Sequence, residues 1–261
     1  MAQTALITGA SVGIGLELAR LMAKDGYRLV LVARDEKRLN EVAVELRKLG
    51  AEEVRLLPAD LAQASSCERI FRELGDARIE IDVLINNAGF GVQGEFAVAD
   101  MQRQLDLLQV NITSLVHLTR LLLPGMLERG RGKVMNVASI AGFVPGPLMS
   151  CYFASKAFVV SFSLALSEEC RGRGVGVTCV CPGPTRTEFF TRAGFDDSGL
   201  ASSAMMTALS VAQIGYRAML RGKALSVTGF GNQLVVQATR LAPRSWMARA
   251  VAKRNRMRTP K

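Results

Sequence analysis

Tyr152 and Lys156 stand four residues apart, a spacing that puts both side chains on one face of a helix. A free tyrosine ionises at a pKa of about 10, too high for efficient acid–base work at neutral pH; an adjacent ammonium stabilises the phenolate and lowers that value. Such a pair can release and regain a proton near neutrality. Taken alone, the YxxxK spacing also describes a packed tyrosine beside a solvated lysine, so its weight depends on the residues around it. One is Ser139, thirteen residues upstream, whose hydroxyl can donate to a carbonyl oxygen. Another is the stretch Thr8–Gly15, TGASVGIG, where glycines at 9, 13 and 15 let the backbone turn tightly and approach a pyrophosphate. Free amides at the start of a following helix would attract that negative charge. The spacing is GxxxGxG rather than GxGxxG.

Other chemistries have little material. His117 is the only histidine, which leaves few means for a hydrolytic triad or a multi-histidine metal site, and no metal is expected. It is expected on a packed or exposed helix face. Cys179 and Cys181 form CxC; on a strand the two thiols face the same side and read as buried small hydrophobes.

The elements that must carry these residues follow from the hydropathy pattern. TALIT opens as a strand, the glycine turn follows, and Ile14–Lys24 repeats apolar residues at helical spacing. Arg28–Ala33 reads as a buried parallel strand, Asp35–Leu49 as a helix stopped by Gly50, and Val54–Leu57 as a third strand. Further strands are expected at Val83–Ile85, Lys133–Val137, Val175–Val180 and Ala224–Val227, with helices at Met101–Leu123, Tyr152–Cys170 and Ser210–Leu220. This alternation predicts an α/β fold: a single-domain, Rossmann-type, doubly wound parallel sheet of about seven strands with helices on both faces, spanning residues 1–261. Ser139 then ends the fifth strand, beside the crevice that open parallel sheets form at their carboxyl ends. No run approaches the ~18 uninterrupted apolar residues of a membrane span, and no basic region followed by an apolar stretch opens the chain, so a cytoplasmic protein is expected.

TGASVGIG, the NNAG sequence Asn86–Gly89, Ser139 and YFASK at Tyr152–Lys156 together resemble, in order and spacing, the short-chain dehydrogenase/reductase family. The resemblance covers Thr4 to about Thr187 and implies a nucleotide-dependent oxidoreductase interconverting a carbonyl and an alcohol. It implies a catalytic set of Asn111, Ser139, Tyr152 and Lys156, in which Asn111 holds a water linking Lys156 to solvent. It assigns Gly9, Ser11, Gly13, Ile14 and Gly15 to the phosphate loop, Asp60 and Leu61 to the adenine, and Asn87, Ala88 and Gly89 to the adenosine ribose and central sheet. Pro182, Gly183, Thr185 and Thr187 match the segment that contacts the nicotinamide and phosphates, and Tyr152 and Lys156 also reach the cofactor. Asp60 is equally readable as a cap of the next turn.

At the end of the second strand the sequence reads Val32, Ala33, Arg34. An acid at that strand end would accept from an adenosine ribose, whereas a 2′-phosphate requires a cation, so Arg34 favours NADP over NAD. Val12 is not the additional basic residue that some NADP-binding relatives carry, and Arg34 is also readable as a solvated cap of the helix that follows.

The resemblance assigns about 187–210 to a substrate lid. Phe189, Phe190, Phe195, Met205 and Met206 would favour a lipophilic carbonyl or alcohol substrate, with Gly194 and Gly199 as hinges, although the same side chains would serve as ordinary core. A 3-oxoacyl reductase acting on carrier- or coenzyme-linked chains is the competing enzyme reading. A non-catalytic NADP-binding sensor or scaffold is the competitor from another class, against which the complete catalytic set argues.

Charge is concentrated at one end. From Ser198 to Lys261 there are 11 Lys and Arg and no Asp or Glu, while Met1–Asp197 carries 22 basic against 23 acidic residues. The basic extension, about 229–261, is compatible with a peripheral membrane surface, an acidic partner or a solvated oligomer edge. Nucleic acid is not expected as a partner, because no recognition motif accompanies the charge. A homodimer or homotetramer is expected.

Overall fold

The computed structural model describes residues 2–189, 193 and 205–256. Six strands follow one another along the chain: β1 (Thr4–Thr8), β2 (Arg28–Ala33), β3 (Glu53–Pro58), β4 (Val83–Asn86), β5 (Gly132–Val137) and β6 (Val175–Cys181). Among the described residues, the two-residue strands β7 (Thr185–Arg186) and β8 (Met206–Thr207) pair with each other, and β9 (Leu225–Val227) completes the large sheet. All seven strands of that sheet run parallel, in the order β3-β2-β1-β4-β5-β6-β9. The expected strands are therefore present, each to within a residue or two at its ends.

Alternation along the strands sends neighbouring side chains to opposite layers. Ala5 and Ile7, with Leu29 and Leu31, pack against α1 (Gly13–Lys24) and α2 (Glu36–Lys48). Leu6, Val30 and Val32 face the other way, toward Ile70 and Leu74 of α3 (Ser66–Asp76). On that second face lie α4 (Met101–Leu108), α5 (Ser114–Glu128) and α6 (Ser150–Glu169), whereas α7 (Ala208–Leu220) joins α1 on the first. Met101–Glu128 and Ser150–Glu169 are each long and apolar enough to cross a membrane by length and composition, a property that counting uninterrupted apolar residues does not register. Here they cover the sheet, with Leu118, Leu122 and Leu166 buried in the second core.

One expected helix is interrupted. Met101–Leu123 is α4, a π-helical turn at Gln109–Thr113, and then α5, which continues to Glu128 through Pro124. The chain also forms α8 (Phe230–Ala238) and α9 (Arg244–Arg256) after the last strand.

The two central strands are tied to the second helical layer by polar groups inside the core. Asn86 Nδ2 donates to Thr119 Oγ1 at 3.0 Å and to Asn136 Oδ1 at 2.9 Å, while Asn136 Nδ2 donates to Ser163 Oγ at 2.9 Å. The network fixes β4, β5, α5 and α6 relative to one another, and a half-satisfied version would leave buried donors unpaired. Replacing Asn136 with Ala should therefore lower unfolding stability by about 1–3 kcal/mol, read as a reduced midpoint in urea; an unchanged midpoint would contradict this role.

Candidate active site

Tyr152 and Lys156 lie in the first turns of α6 and share its inward face, as their spacing requires. Both are buried, at 9% and 5% exposure. Lys156 Nζ donates to the Val137 carbonyl at the end of β5 at 2.9 Å and stands 5.9 Å from the centre of the Tyr152 ring. Ser139 lies just beyond the same strand, its backbone extended. Its Oγ accepts from Ala141 N–H at 3.1 Å and thereby starts a short 3₁₀ turn at Ile140–Phe143. The Ser139 hydroxyl donates to the Pro182 carbonyl at 3.4 Å, and its polarity acts to lower the pKa of the nearby Tyr152 phenol.

The electrostatics depart from what spacing suggests. Burial pushes the Tyr152 phenol up to about 12, with the Ser139 hydroxyl pulling in the opposite direction. Burial also brings the Lys156 ammonium down to about 8. The lowering expected from Lys156 is thus outweighed: desolvation opposes the phenolate more strongly than the neighbouring groups favour it. Tyr152 holds its proton, whereas Lys156 titrates near physiological pH.

Asn111 sits inside the π-helical turn, a distortion that breaks the ordinary helical ladder. Its amide is held on three sides: Nδ2 donates to the Phe90 carbonyl and to Ser155 Oγ, both at 3.0 Å, and Oδ1 accepts from Phe90 N–H at 3.1 Å. Asn111 therefore lies behind the cavity wall rather than on it. It still converges with Lys156, because a Cβ on Gly89 would stand 3.0 Å from Asn111 Oδ1 and 3.3 Å from Lys156 Nζ.

These residues border one cavity of about 820 Å³ at the carboxyl ends of the strands. At one end Gly9, Ser11, Gly13 and Ile14 form its floor, with Arg34, Asp60 and Leu61 beside them. Asn87, Ala88 and Gly89 border its middle, and Pro182, Gly183, Thr185 and Thr187 lie opposite. Gly9 adopts φ +64°, which favours glycine, and the loop is tied to the neighbouring turn by Asn87 Nδ2, which donates to the Thr8 and Gly9 carbonyls.

Gly15 and Asn86 are among the motif residues that do not line the cavity. Gly15 lies beneath it, where an added Cβ would come within 2.3 Å of the Gly9 carbonyl oxygen, so its role is close packing of helix against loop. Asn86, the first residue of NNAG, belongs to the core network. Asp60 both borders the cavity and accepts from Ala62 N–H at 3.0 Å, combining its two readings. Arg34 is exposed at the rim, and the cap of α2 is Asp35, which accepts from Arg38 N–H. His117 pairs with Glu68 at 3.0 Å, and Cys179 and Cys181 are buried side by side with sulfurs 3.7 Å apart.

The other end of the cavity is apolar. Phe189 packs over Tyr152 with ring centres 5.2 Å apart, and Val144, Met149 and Phe153 complete that wall. Phe190, Gly194, Phe195 and Gly199 lie outside the described residues. The sequence pattern did not reveal that Val235, Val236 and Thr239 of the α8 region and Val251, Arg254 and Asn255 of α9 also line the cavity. No local motif marks them. The one usable signal was Arg254, a cation falling near the apolar side of a helix begun at Pro243.

Comparison with known proteins agrees with this architecture. The model of the short chain dehydrogenase family matches residues 3–197. The ketoacyl reductase HetN of a Nostoc strain is 36% identical over 181 residues, covering 69% of this chain and 63% of HetN. The chain thus spans about three-fifths of the length of the curated relatives it matches. A short-chain dehydrogenase from Sphingobium yanoikuyae, solved in complex with NADPH, superposes with a TM-score of 0.81 at 34% identity, covering 92% of this chain and 94% of that one. A relative from Burkholderia phymatum in complex with NAD gives a TM-score of 0.80 at 27% identity, covering 90% and 92%. With a matching sequence model over most of its length, the glycine loop at the first strand and Tyr152 beside Lys156 on α6, the chain belongs to the short-chain dehydrogenase family.

Proposed function

We propose that the protein is an NADP(H)-dependent oxidoreductase that interconverts a carbonyl and a secondary alcohol on a lipophilic substrate. The observation that carries this reading is the convergence of Tyr152, Ser139 and Lys156 at the centre of a cavity with a glycine-floored polar end and an apolar end. The polar end fits a dinucleotide: the glycine-rich turn Gly9, Ser11, Gly13 and Ile14 lines it, and Arg34 at the rim supplies the cation a 2′-phosphate needs. When bound there, the nicotinamide supplies or accepts the hydride.

The chain's own residues handle the oxygen and the proton. Ser139 and Tyr152 present hydroxyls that can hold one carbonyl oxygen, and Tyr152, kept neutral by burial, delivers its proton as charge develops there. Lys156 holds a positive charge beneath the phenol and stabilises the phenolate left behind. Asn111 acts by fixing the π-helical turn and Phe90 around Lys156. Phe189, Met149 and Phe153 exclude water from the reacting end, which favours an apolar substrate.

A 3-oxoacyl thioester is the second substrate reading, favoured by the similarity to a ketoacyl reductase and by Arg254 at the apolar end, where a cation could meet an anionic group of a carrier or coenzyme. The exposed Phe158, stacked on Phe162 on the outer side of α6, supports the expected homo-oligomer.

Screening NADPH oxidation against 3-oxoacyl thioesters, steroids, aldehydes and sugars identifies the substrate. With it, Tyr152→Phe should lower kcat at least ~100-fold while leaving NADPH affinity within a few-fold; undiminished turnover would overturn the mechanism. The pH profile has a definite sign. Lys156 loses its charge as pH rises through about 8, so carbonyl reduction should decline above that pH, and a rate that climbs through it would contradict the role. Arg34→Ala should weaken NADPH binding by about tenfold or more and leave NADH binding nearly unchanged in a fluorescence titration. Equal losses for both nucleotides, or a preference for NADH in the unaltered protein, would remove the NADP assignment.

A further inference from the structure

The two helices that wall the apolar end of the cavity each have a second, outward face of unusual composition. In α8, whose backbone hydrogen bonding continues past Ala238 to Ala242, Val236 and Thr239 point toward the cavity side. Helical spacing puts Phe230, Leu234 and Leu241 together on the opposite side. Those three are 75%, 56% and 91% exposed. In α9, Val251 and Asn255 face inward. Asn255, only 2% exposed, donates from Nδ2 to the Pro147 carbonyl at 2.8 Å and anchors the helix to the body. The outward side of α9 brings together Trp246, at 68% exposure, with the exposed cations Arg249, Lys253 and Arg256.

We propose that the outer faces of α8 and α9 dock the protein onto an anionic lipid bilayer. Large apolar side chains on one helix and an amphipathic tryptophan with several cations on the next are what an interfacial surface uses: the apolar groups enter the headgroup boundary while the cations meet anionic lipids. Charge complementarity selects this occupant. Residues 198–261 carry 11 cations and no acid, so a second copy of the chain apposed on the same patch would bring like charge against like. The apolar stripe of α8 also belongs in hydrocarbon better than against the polar, acidic surface of a soluble partner. A bilayer on the outer side of α8 would stand one helix away from the cavity. Delivery of a lipophilic substrate by that route rests on the proposed function, whereas docking itself does not.

Trp246 is the only tryptophan in the chain, so its fluorescence reports this face alone. The full-length protein should sediment with phosphatidylglycerol-rich vesicles with a blue shift of the Trp246 emission, and should bind pure phosphatidylcholine vesicles at least about tenfold more weakly. Two double variants at exposed positions separate the contributions. Arg249→Glu with Lys253→Glu, and Phe230→Glu with Leu241→Glu, should each weaken vesicle binding by about tenfold or more with the thermal midpoint retained. Absence of a blue shift with anionic vesicles, or equal binding to neutral ones, would overturn the proposal. So would finding that the Phe230 and Leu241 variant dissociates an oligomer while the unaltered protein ignores vesicles, which would assign the face to a second copy. No substrate or nucleotide enters the assay, so its outcome is independent of the catalytic reading.

Discussion

The ammonium of Lys156 is buried and donates to the Val137 carbonyl at the end of β5. A charge withdrawn from water is tolerable only when hydrogen-bonded, and that requirement ties the first turns of α6 to the carboxyl edge of the sheet. Ser139 leaves β5 two residues after Val137, and Tyr152 precedes Lys156 by one helical turn. Seating the lysine therefore brings the two hydroxyls to the same end of the same strand. Gly89 and the π-helical turn at Asn111 close around the ammonium from the neighbouring strand and helix, so a local requirement for one acceptor organises four separate segments.

Burial then sets the chemistry as well as the geometry. The same desolvation that lowers Lys156 to about 8 raises Tyr152 to about 12, so each group is pushed toward its uncharged form while Lys156 keeps its charge below about pH 8. Ser139 works against the rise at Tyr152. The site is consequently arranged to donate a proton from tyrosine while a titratable lysine stands behind it.

The C-terminal helices extend this logic outward. They were readable in the sequence as a basic, partly apolar extension, but in three dimensions they supply part of the cavity wall with Val236, Thr239, Val251 and Asn255. Each then has two apolar or amphipathic sides, one closing the cavity and one turned to the exterior. A helix used in this way cannot show the single clean apolar face that marks a simple amphipathic segment. This explains why composition by itself left its role open.

By itself the sequence determined the alternation of strands and helices, the glycine turn after β1, the shared face of Tyr152 and Lys156 and the emergence of Ser139 from β5. These are consequences of local spacing, since the periods of strand and helix act over neighbouring residues. Only the tertiary structure decided that Gly15 and Asn86 serve packing, that Asn111 occupies a π-helical turn held by Phe90, and that residues near 240 and 250 complete a cavity begun at residue 9. It also decided the direction in which Tyr152 shifts. Desolvation depends on everything that surrounds a group, and those surroundings come from segments far apart in the chain that meet only when the sheet and its covering helices assemble.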